Sequence, residues 1–537
     1  MSRSIRTSGS VKKLTLGWLV TTMAIPVSDA RPQQRSAPPA AWPVDLDHYI
    51  SAVFEQWKIP GIALAVVRND STIVAKGFGV RELGKPGRVD ANTVFDVASL
   101  SKSFTTAAAA VLVDRGVLNW DDPVRRYLPD LVLPNDSLTQ QATLRDFLSH
   151  RTGIDAANMM WVLTAVDRKE VLRRMRFLQI VAPFRRSMVY SNIGYTVAGE
   201  AMAAAAHSDV ESLLRDLVIK PLGLTSTTWS YEQSARMPNV ASPHASVDGR
   251  QQVIPRERQR QPIAAAAAVQ TTANDMTRWM RLHLNGGVLD GKRYVSDSSM
   301  REMHSVHAVI TPSPAMRASR LVEDTVTGYG LGWQIMDYRG HRVWWHTGNG
   351  DGQIAWMALF PDDRLGIAVM VNTWSAPNVH FALVNRIADA FLGYPPRDWA
   401  AEMFARIPNS DSARIANQRA MDAMRSPTPH RLPLAAFAGN YEHPVFGPIL
   451  IRQAPSGLTL QMGDGRLADL EYHGGDTFYV VWRDPFIREY YSTHITFSMS
   501  GDSVVALSTT LNRDQFVARK PQAPRLRAPA VRLLVRR

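Results

Sequence analysis

Short strand-like runs lie at both ends of one long block of this sequence, and a mostly helical stretch separates them. Residues 62–67 and 72–76 are β-type apolar runs around a polar turn, which predicts a hairpin. Residues 140–310 have a mostly helical pattern, and four further strand-like runs follow residue 329. A helix is predicted over residues 379–392. Because the strands are split between two ends, the pattern predicts one α+β domain whose sheet is assembled from both ends.

A proline-rich segment marks a second boundary. Three prolines fall within residues 426–433, which is typical of a linker. Beyond it, residues 434–518 contain many short apolar runs separated by glycine-rich turns. This pattern predicts a small all-β domain, a barrel or a sandwich.

Composition excludes several classes of protein. Of the 537 residues, 45% are hydrophobic and 20% are charged, as in ordinary globular chains. The absence of cysteine excludes disulfides, thiolate nucleophiles and zinc-thiolate or iron–sulfur sites. The formal net charge of +13 is concentrated at the two ends, because residues 31–518 contribute only +3. A groove for nucleic acid needs basic charge within the fold, so we expect no nucleic-acid partner.

The amino-terminal segment has the layout of a secretory signal. A basic region ending at Lys13 precedes an apolar run over residues 14–27 and a small-x-small site, Ser28-Asp29-Ala30. The run is shorter than the roughly 20 residues that span a bilayer, and an uncleaved anchor is the alternative. We expect an exported bacterial protein, periplasmic or secreted, with no membrane span. The basic tail, residues 519–537, is expected to be a solvated end, with contact to an anionic surface as the alternative.

These boundaries give six segments. A signal peptide and a flexible leader precede the large α+β domain. A helical segment with the proline-rich linker separates that domain from the small β domain, and the basic tail follows. In this order the segments are residues 1–30, 31–43, 44–395, 396–433, 434–518 and 519–537.

A Ser-x-x-Lys pair, Ser99-Leu-Ser-Lys102, carries the first chemical signal. It opens an alanine-rich helix predicted over residues 101–115, so the serine falls where free N–H groups and the helix dipole favour developing negative charge. The lysine lies one turn later on the same face. Burial would lower its pKa and let it act as a base towards the serine. An N-cap serine with a surface lysine is the alternative, and a second match, Ser10-Val-Lys-Lys13, lies in the predicted signal peptide.

Two further motifs follow in order along the chain. Tyr190-Ser-Asn192 offers a hydroxyl that can relay a proton and an amide that can hydrogen-bond a substrate carbonyl. His346-Thr-Gly348 ends a predicted strand. Its histidine and threonine are expected to point to opposite faces, and its glycine lets the backbone approach a ligand closely. Taken singly, a core tyrosine and an ordinary strand-end histidine are the simpler interpretations, but the three motifs in this order favour a catalytic site.

With these motifs, the sequence resembles the serine β-lactamase and penicillin-binding-protein superfamily, on the class C β-lactamase and DD-peptidase/esterase branch. The resemblance covers residues 44–395 and implies an α+β, β-lactamase/transpeptidase-like fold, with an antiparallel sheet flanked by helices and a helical subdomain. Residues 434–518 resemble, less specifically, the small β domain that often follows this hydrolase domain. Four further stretches carry the resemblance: residues 59–67, Leu148-Ser-His-Arg-Thr-Gly-Ile154, Gly328-Tyr-Gly-Leu-Gly-Trp333 and Gly348-Asn-Gly-Asp-Gly352.

The resemblance implies three catalytic roles. Ser99 would be the acylated nucleophile, and Lys102 would accept its proton. Tyr190 would pass the proton to the leaving group and later activate water. Which of Lys102 and Tyr190 is the base in acylation stays open at this stage.

The resemblance also implies the residues that bind the substrate. Asn192 would hold the acyl amide, and His346 and Thr347 would line the opposite wall and meet a carboxylate or another polar end. Beside Gly348, the N–H group of Asn349 would form the oxyanion hole together with the N–H group of the nucleophile.

The sequence departs from the family pattern at two places in the site. His346 stands where β-lactamases have lysine, and because histidine is mostly neutral near pH 7, the fixed positive charge that meets a β-lactam carboxylate is missing. Residues 264–272 contain five alanines where relatives often have a Gly-Gly pair, so this wall is expected to be narrower. His304-Ser-Val-His307 has a metal-like spacing without a nearby acidic partner of the usual pattern, and we interpret it and His150 as structural.

The sequence therefore predicts an exported serine hydrolase that cleaves an amide bond of a small-molecule or peptide substrate through a Ser99 acyl-enzyme. The substrate would be peptide-type, including D-amino-acid derivatives and linear peptides. An esterase is the first alternative and a β-lactamase the second. A penicillin sensor or scaffold without turnover, or a cell-surface binding protein dominated by the β domain, is the non-enzyme alternative. No cofactor and no metal are expected.

Overall fold

The computed structural model describes most of the chain. The predicted signal peptide, nearly all of the leader, most of the proline-rich linker and the tail from residue 521 lie outside the described residues, so these assignments stay predictions. The described residues are 41–256, 261–310, 327–406, 419, 423, 425, 430, 432–463, 465–511 and 514–520.

The large domain is built around one antiparallel sheet. Its strands and those of three short ribbons are β1 (Gly61–Arg68), β2 (Ser71–Gly79), β3 (Phe95–Asp96), β4 (His244–Val247), β5 (Arg250–Val253), β6 (Gln270–Thr271), β7 (Val288–Leu289), β8 (Lys292–Arg293), β9 (Ala308–Val309), β10 (Thr327–Tyr329), β11 (Gln334–Tyr338), β12 (His341–Gly350), β13 (Gln353–Phe360) and β14 (Leu365–Val371). The main sheet has eight strands in the order β2-β1-β14-β13-β12-β11-β10-β9. Ile62 of β1 lies opposite Val371 of β14, so the expectation that both ends of the domain build one sheet is confirmed.

Helices cover both faces of this sheet and form the block between its strands. They are α1 (Val44–Trp57), α2 (Ser101–Asp114), α3 (Asp136–Gln141), α4 (Leu144–Leu148), α5 (Met159–Val162), α6 (Arg168–Arg174), α7 (Asn192–Ala205), α8 (Val210–Leu214), α9 (Tyr231–Ala235), α10 (Ala264–Ala267), α11 (Ala273–Leu284), α12 (Asp297–Met303), α13 (Val379–Leu392) and α14 (Trp399–Phe404). The predicted α+β architecture is confirmed. Strands β13 and β14 are buried at every position. Because both of their faces are covered, they have continuous apolar runs rather than an alternating pattern.

Helix α2 lies in the middle of the helical block and carries the Ser-x-x-Lys lysine. It is buried over nearly its whole length. Its run of four alanines, residues 107–110, is fully buried, and short side chains let α7 and α10 pack closely against it. Phe104 stacks on Trp279 with ring centroids 3.9 Å apart. This packing fixes the start of α2 against the sheet.

The small domain is a closed barrel, so the predicted barrel-like architecture is confirmed. Its strands are β15 (Gly439–His443), β16 (Gly447–Ala454), β17 (Gly457–Met462), β18 (Arg466–Gly474), β19 (Thr477–Trp482), β20 (Thr493–Ser500), β21 (Ser503–Leu511) and β22 (Asp514–Arg519), with helices α15 (Leu434–Phe437) and α16 (Pro485–Tyr491). Each strand pairs with the next, and β22 closes on β15. Buried positions alternate along β17 and β19, as expected when one face fills the interior and the other meets water.

The barrel touches the large domain on both sides of the predicted site. Phe486 of α16 packs on Trp374, with ring centroids 5.3 Å apart. The backbone at Gly463 lies so close to Leu163 that a Cβ atom there would overlap the Leu163 carbonyl oxygen. None of the described helices is both long enough and apolar enough to cross a membrane.

Candidate active site

Ser99 lies in a tight turn immediately before α2. The 3₁₀ turn Ala98–Leu100 leads directly into the helix. Ala98 has a φ of 41°, in the left-handed region. The Asp96 carboxylate holds this turn, because its Oδ1 accepts the N–H of Ala98 at 2.8 Å and its Oδ2 accepts the Tyr231 hydroxyl at 2.5 Å. The turn thereby leaves Ser99 partly exposed at the start of a buried helix.

Lys102 is fully buried one turn after Ser99. Its Nζ lies 3.1 Å from Ser99 Oγ, 2.7 Å from Asn192 Oδ1 and 3.2 Å from the Ala266 carbonyl oxygen. Burial holds the pKa of the Lys102 amine well below its usual value. A neutral amine has two N–H groups and one lone pair. Its hydrogens can go to the two oxygen acceptors, which leaves the lone pair for the Ser99 hydroxyl proton.

Tyr190 lies on the other side of the nucleophile. Its hydroxyl is hydrogen-bonded with Ser99, and enclosure within the site raises the pKa of Tyr190 above its usual value. Lys102 Nζ lies 4.7 Å from the centre of the Tyr190 ring. Tyr190 is therefore protonated at neutral pH and can donate to, or accept from, the Ser99 oxygen.

The segment that carries Tyr190 is fixed by the start of α7. Ser191 is the N-cap of that helix, and its Oγ accepts the N–H of Gly194 at 3.1 Å. Asn192 is the first helical residue, and its Nδ2 contacts Asn158 Oδ1 at 3.4 Å. The structure thus brings Asn192 and Lys102 together from two helices that are about 90 residues apart in sequence.

The third motif abuts the turn of the nucleophile through its glycine. A Cβ atom on Gly348 would overlap the carbonyl oxygen of Val97 and lie 3.2 Å from the backbone nitrogen of Ser99. Strand β11 pairs with β12 only as far as Trp345, so β12 has an open edge beyond that point. The backbone at Gly348 and Asn349 therefore lies beside the Ser99 N–H group, which suits the expected pair of oxyanion donors.

His346 is held by hydrogen bonds on both sides of its ring. Its side chain is 1% exposed, and both ring nitrogens are engaged. A carbonyl oxygen can only accept a hydrogen bond, so Nδ1 carries the proton and donates to the Thr347 carbonyl oxygen at 2.6 Å. Nε2 therefore has no proton and accepts the Tyr329 hydroxyl at 3.0 Å. Burial, with a smaller contribution from Lys102, lowers the pKa of His346 to about 3. The ring is thus buried, neutral and fully hydrogen-bonded, and a contact between His346 and a polar end of the substrate stays a prediction.

Thr347 and Asn349 lie on the face of β12 opposite to His346, as alternation along a strand requires. They line a cleft of about 460 Å³ whose other wall includes Trp374, His380 and Phe381. The cleft begins beside the strand segment that meets Ser99. Substrate contacts for the Thr347 side chain stay a prediction.

Several residues that complete the site were not singled out from the sequence. Asp96 and Gln353 support the nucleophile turn, and Gln353 Oε1 accepts the N–H of Asp96 at 2.9 Å. Tyr329 holds His346, and it could have been found because it lies in one of the stretches that resemble the family. The Ala266 carbonyl shows how the alanine-rich segment takes part: Ala264–Ala267 forms the short helix α10, whose backbone meets Lys102.

The three histidines interpreted as structural make stacking or hydrogen-bond contacts within the fold. His304 stacks on Trp344 with ring centroids 3.8 Å apart, and His307 Nε2 lies 2.9 Å from the Glu302 carbonyl oxygen. His150 accepts the N–H of Ser191 at 3.1 Å. Across the described ranges, His, Asp and Glu side chains form no cluster of three that could hold a metal ion.

Comparison with known proteins places this fold and site in a class of hydrolases related to β-lactamases and penicillin-binding proteins. The family model described as Beta-lactamase matches residues 46–390, so the chain belongs to the β-lactamase family. A second model, a domain of unknown function called DUF3471, matches residues 423–520 and covers the barrel.

Two relatives illustrate the range of the family. The unguisins hydrolase ungD of Aspergillus violaceofuscus is 28% identical over 456 residues, which cover 79% of this chain and 77% of that protein. Penicillin-binding protein 4 of Amycolatopsis lactamdurans is 27% identical over 347 residues, which cover 62% of this chain and 86% of that protein.

Solved structures share the fold at low sequence identity. The octameric penicillin-binding protein homologue from Pyrococcus abyssi superposes with a TM-score of 0.58 at 18% identity, covering 88% of this chain and 99% of that one. SurE superposes with a TM-score of 0.53 at 18% identity, covering 89% and 98%. These likenesses extend over most of the chain and support the fold.

Proposed function

We propose that this protein is an exported serine hydrolase that cleaves an amide bond of a peptide-type substrate through an acyl-enzyme on Ser99. One observation carries the proposal: the Lys102 amine is fully buried, has a lowered pKa and lies 3.1 Å from Ser99 Oγ. A surface lysine would be protonated and could not accept a proton at neutral pH.

In acylation, Ser99 Oγ attacks the substrate carbonyl carbon while its proton moves to the Lys102 lone pair. The new negative charge on the carbonyl oxygen would be stabilised by the N–H groups of Ser99 and Asn349, and one such donor is worth roughly 3–4 kcal/mol. The resulting ammonium keeps the acceptors Asn192 Oδ1 and Ala266 O. Lys102 rather than Tyr190 suits the base, because burial lowers the pKa of the amine and raises that of the phenol.

Tyr190 completes the proton path. When the C–N bond breaks, the Tyr190 hydroxyl gives its proton to the leaving nitrogen and regains one from the Lys102 ammonium. In deacylation the direction is reversed: Tyr190 and Lys102 together take a proton from water as its oxygen attacks the acyl carbon. Ser99 then leaves as the free hydroxyl, and the product is a carboxylic acid.

The neutral His346 favours uncharged amide substrates over β-lactams. A β-lactam presents a carboxylate, which a fixed positive charge in the third motif would pair with. His346, with a pKa of about 3, carries no such charge at neutral pH. The name of one relative, unguisins hydrolase, is a reason to look beyond penicillins for the substrate. The fold likeness to SurE solved with D-Leu, with a TM-score of 0.51, is a reason to include D-amino-acid substrates in a screen.

The test is a hydrolysis screen combined with covalent labelling. Wild type and Ser99→Ala are assayed on p-nitrophenyl esters, D- and L-amino-acid amides, D-Ala-D-Ala peptides, linear peptides and nitrocefin. We expect amide turnover that Ser99→Ala loses, and a fluorophosphonate adduct on the peptide that contains Ser99. An adduct elsewhere, or an active Ser99→Ala enzyme, would show that Ser99 is not the nucleophile.

The same screen separates the alternatives. Turnover of esters without amides supports the esterase, and fast turnover of nitrocefin supports the β-lactamase. Labelling of Ser99 without turnover of any substrate supports a sensor. Export is tested by sequencing the amino terminus of the protein from its host, where we expect a start near residue 31.

A further inference from the structure

Three large apolar side chains are exposed within five residues of one another. Phe177, Ile180 and Val181 are 42%, 45% and 53% exposed. Elsewhere among the described residues, exposed large apolar side chains occur singly or as one close pair, Val306 and Val309. Single exposed apolar residues are ordinary, but a concentrated group marks a contact surface.

Two exposed arginines flank this group. Arg176 precedes Phe177, and Arg186 follows five residues after Val181. Neither forms an ion pair within the described part of the chain. Nearby Arg173 and Arg174, in contrast, both pair with Glu170. We call the surface formed by Arg176, Phe177, Ile180, Val181 and Arg186 the 176–186 face.

Further positive charge adjoins the 176–186 face from the barrel. A groove of about 550 Å³ lies between the two domains, lined by Arg173, Arg174 and Phe177 on one side and by Arg519 and Lys520 on the other, with Glu442 and His443 among its remaining residues. The sequence that follows, residues 521–537, contains five arginines, five Leu or Val residues and no acidic residue. The described walls of the groove therefore combine basic residues from both domains with the apolar side chain of Phe177.

We propose that the 176–186 face docks on an anionic lipid bilayer. Basic residues with exposed apolar neighbours suit this partner, since the apolar side chains enter the boundary between headgroups and acyl chains while the arginines meet lipid phosphates. The terminal segments of this chain do not suit as occupants, because residues 1–30 and 521–537 are themselves basic. A hydrophilic polyanion would leave Phe177, Ile180 and Val181 in water.

Docking in this way places the membrane against a segment that contacts the turn supporting Tyr190. The N–H of Val181 donates to the Gly153 carbonyl oxygen at 2.9 Å. Gly153 belongs to the turn that contains His150, which hydrogen-bonds the segment around Tyr190. The membrane contact is independent of the reaction at Ser99, so it can be tested without any substrate.

The test measures partition of the chain without residues 1–30 onto vesicles of two parts phosphatidylcholine and one part phosphatidylglycerol, by sedimentation. Phe177→Ser/Ile180→Ser/Val181→Ser removes the apolar group, and Arg176→Glu/Arg186→Glu reverses the flanking charge. We expect each variant to lower the partition coefficient by more than about tenfold, because each basic residue near an anionic bilayer contributes roughly fivefold. Binding should also weaken as salt is added, since the Debye length is about 10 Å at 0.1 M.

Matched controls carry the same changes on other elements. Leu83→Ser/Val253→Ser/Val309→Ser alters three exposed apolar residues, and Arg236→Glu/Arg250→Glu reverses two exposed arginines. Both should bind like the parent, and equal thermal midpoints confirm that all variants are folded. Three results overturn the proposal: no binding by the parent, equal losses in the controls, or full binding by the 176–186 variants with loss only when residues 521–537 are deleted.

Discussion

His150 holds Tyr190 from both sides along the chain. The rings of the two residues lie 4.3 Å apart. The His150 carbonyl oxygen accepts the N–H of Val189 at 2.8 Å, and its Nδ1 accepts the N–H of Ser191 at 3.1 Å. His150 therefore fixes the residue before Tyr190 through its backbone carbonyl and the residue after Tyr190 through its imidazole. His150 itself has a φ of 60°, so the turn presents this ring to that segment at the cost of a left-handed backbone.

We predict that His150→Leu lowers kcat about 10- to 100-fold with little change in KM, because a misplaced Tyr190 impairs proton transfer more than binding. The measurement is a double-mutant cycle with Tyr190→Phe on an ester or amide that the parent hydrolyses. If His150 acts through Tyr190, the double variant is no slower than Tyr190→Phe alone. Additive losses in kcat would contradict a positioning role.

The conservative variant His150→Asn is the control for that cycle. Asparagine tolerates a positive φ, and its Oδ1 can replace Nδ1 as the acceptor for the Ser191 N–H group. We expect His150→Asn to recover most of the activity that His150→Leu loses. Equal loss in both variants would mean that packing of the ring, and not the hydrogen bond, supports Tyr190.

Gly348→Ala should separate β12 from the turn of the nucleophile. The added Cβ would overlap the Val97 carbonyl oxygen, so one of the two backbones must shift. We expect kcat/KM to fall about 100-fold, since a displacement of about 1 Å at an oxyanion site has effects of this size. Gly194→Ala is the control, because its Cβ would meet its nearest neighbours at 3.5 Å and activity should survive. Unchanged activity of Gly348→Ala would show that close contact at this point is dispensable.

Ala98→Gly should stabilise the protein without slowing catalysis. Ala98 has a φ of 41°, and glycine adopts this conformation without the cost of roughly 1 kcal/mol that a Cβ atom carries. The Asp96 carboxylate still accepts the residue 98 N–H group, so Ser99 keeps its place and kcat should not change. Denaturant unfolding should show a rise in the free energy of unfolding, whereas Ala110→Gly inside α2 should lower it. A fall in both variants would contradict local strain at Ala98.

Buried neutral histidines should make the fold sensitive to mild acid. Burial lowers the pKa of His304, His346 and His380 to about 3, and holds that of His283 well below its ordinary value. The unfolded chain binds protons at these groups near pH 6.5, whereas the folded chain does not. Stability is therefore fully present above pH 6.5 and is lost as pH falls, by about 1.4 kcal/mol per pH unit for each group.

His283→Phe tests this sign directly. Neither ring nitrogen of His283 has a hydrogen-bond partner among the described residues, so phenylalanine loses no hydrogen bond and removes one protonation site. We expect similar thermal midpoints at pH 7.5 for variant and parent, and a smaller drop for the variant between pH 6.5 and pH 5. Parallel curves would show that His283 does not contribute to the acid sensitivity.

Local patterning was enough to predict much of the fold. The helix predicted over residues 379–392 is α13, and the predicted hairpin is β1 and β2. These elements follow from the spacing of apolar residues, which is set by neighbours close in sequence. That strands from both ends of the domain share one sheet was also predicted, whereas the pairing of β1 with β14 appears only in the structure. Closure of the small domain into a barrel was not distinguishable from a sandwich, since both have the same alternation.

For the site, the sequence determined which residues meet, and the tertiary structure decided their chemical state. The spacing of Ser99 and Lys102 on one helix places them together whatever surrounds them. That the Lys102 amine is buried against Ala266 depends on a segment 164 residues away in the chain. That His346 is neutral depends on its burial within the folded domain. Periodicity records which face a side chain occupies. Desolvation and hydrogen bonding, which set pKa values, depend on everything packed around it, and only the folded chain brings those neighbours together.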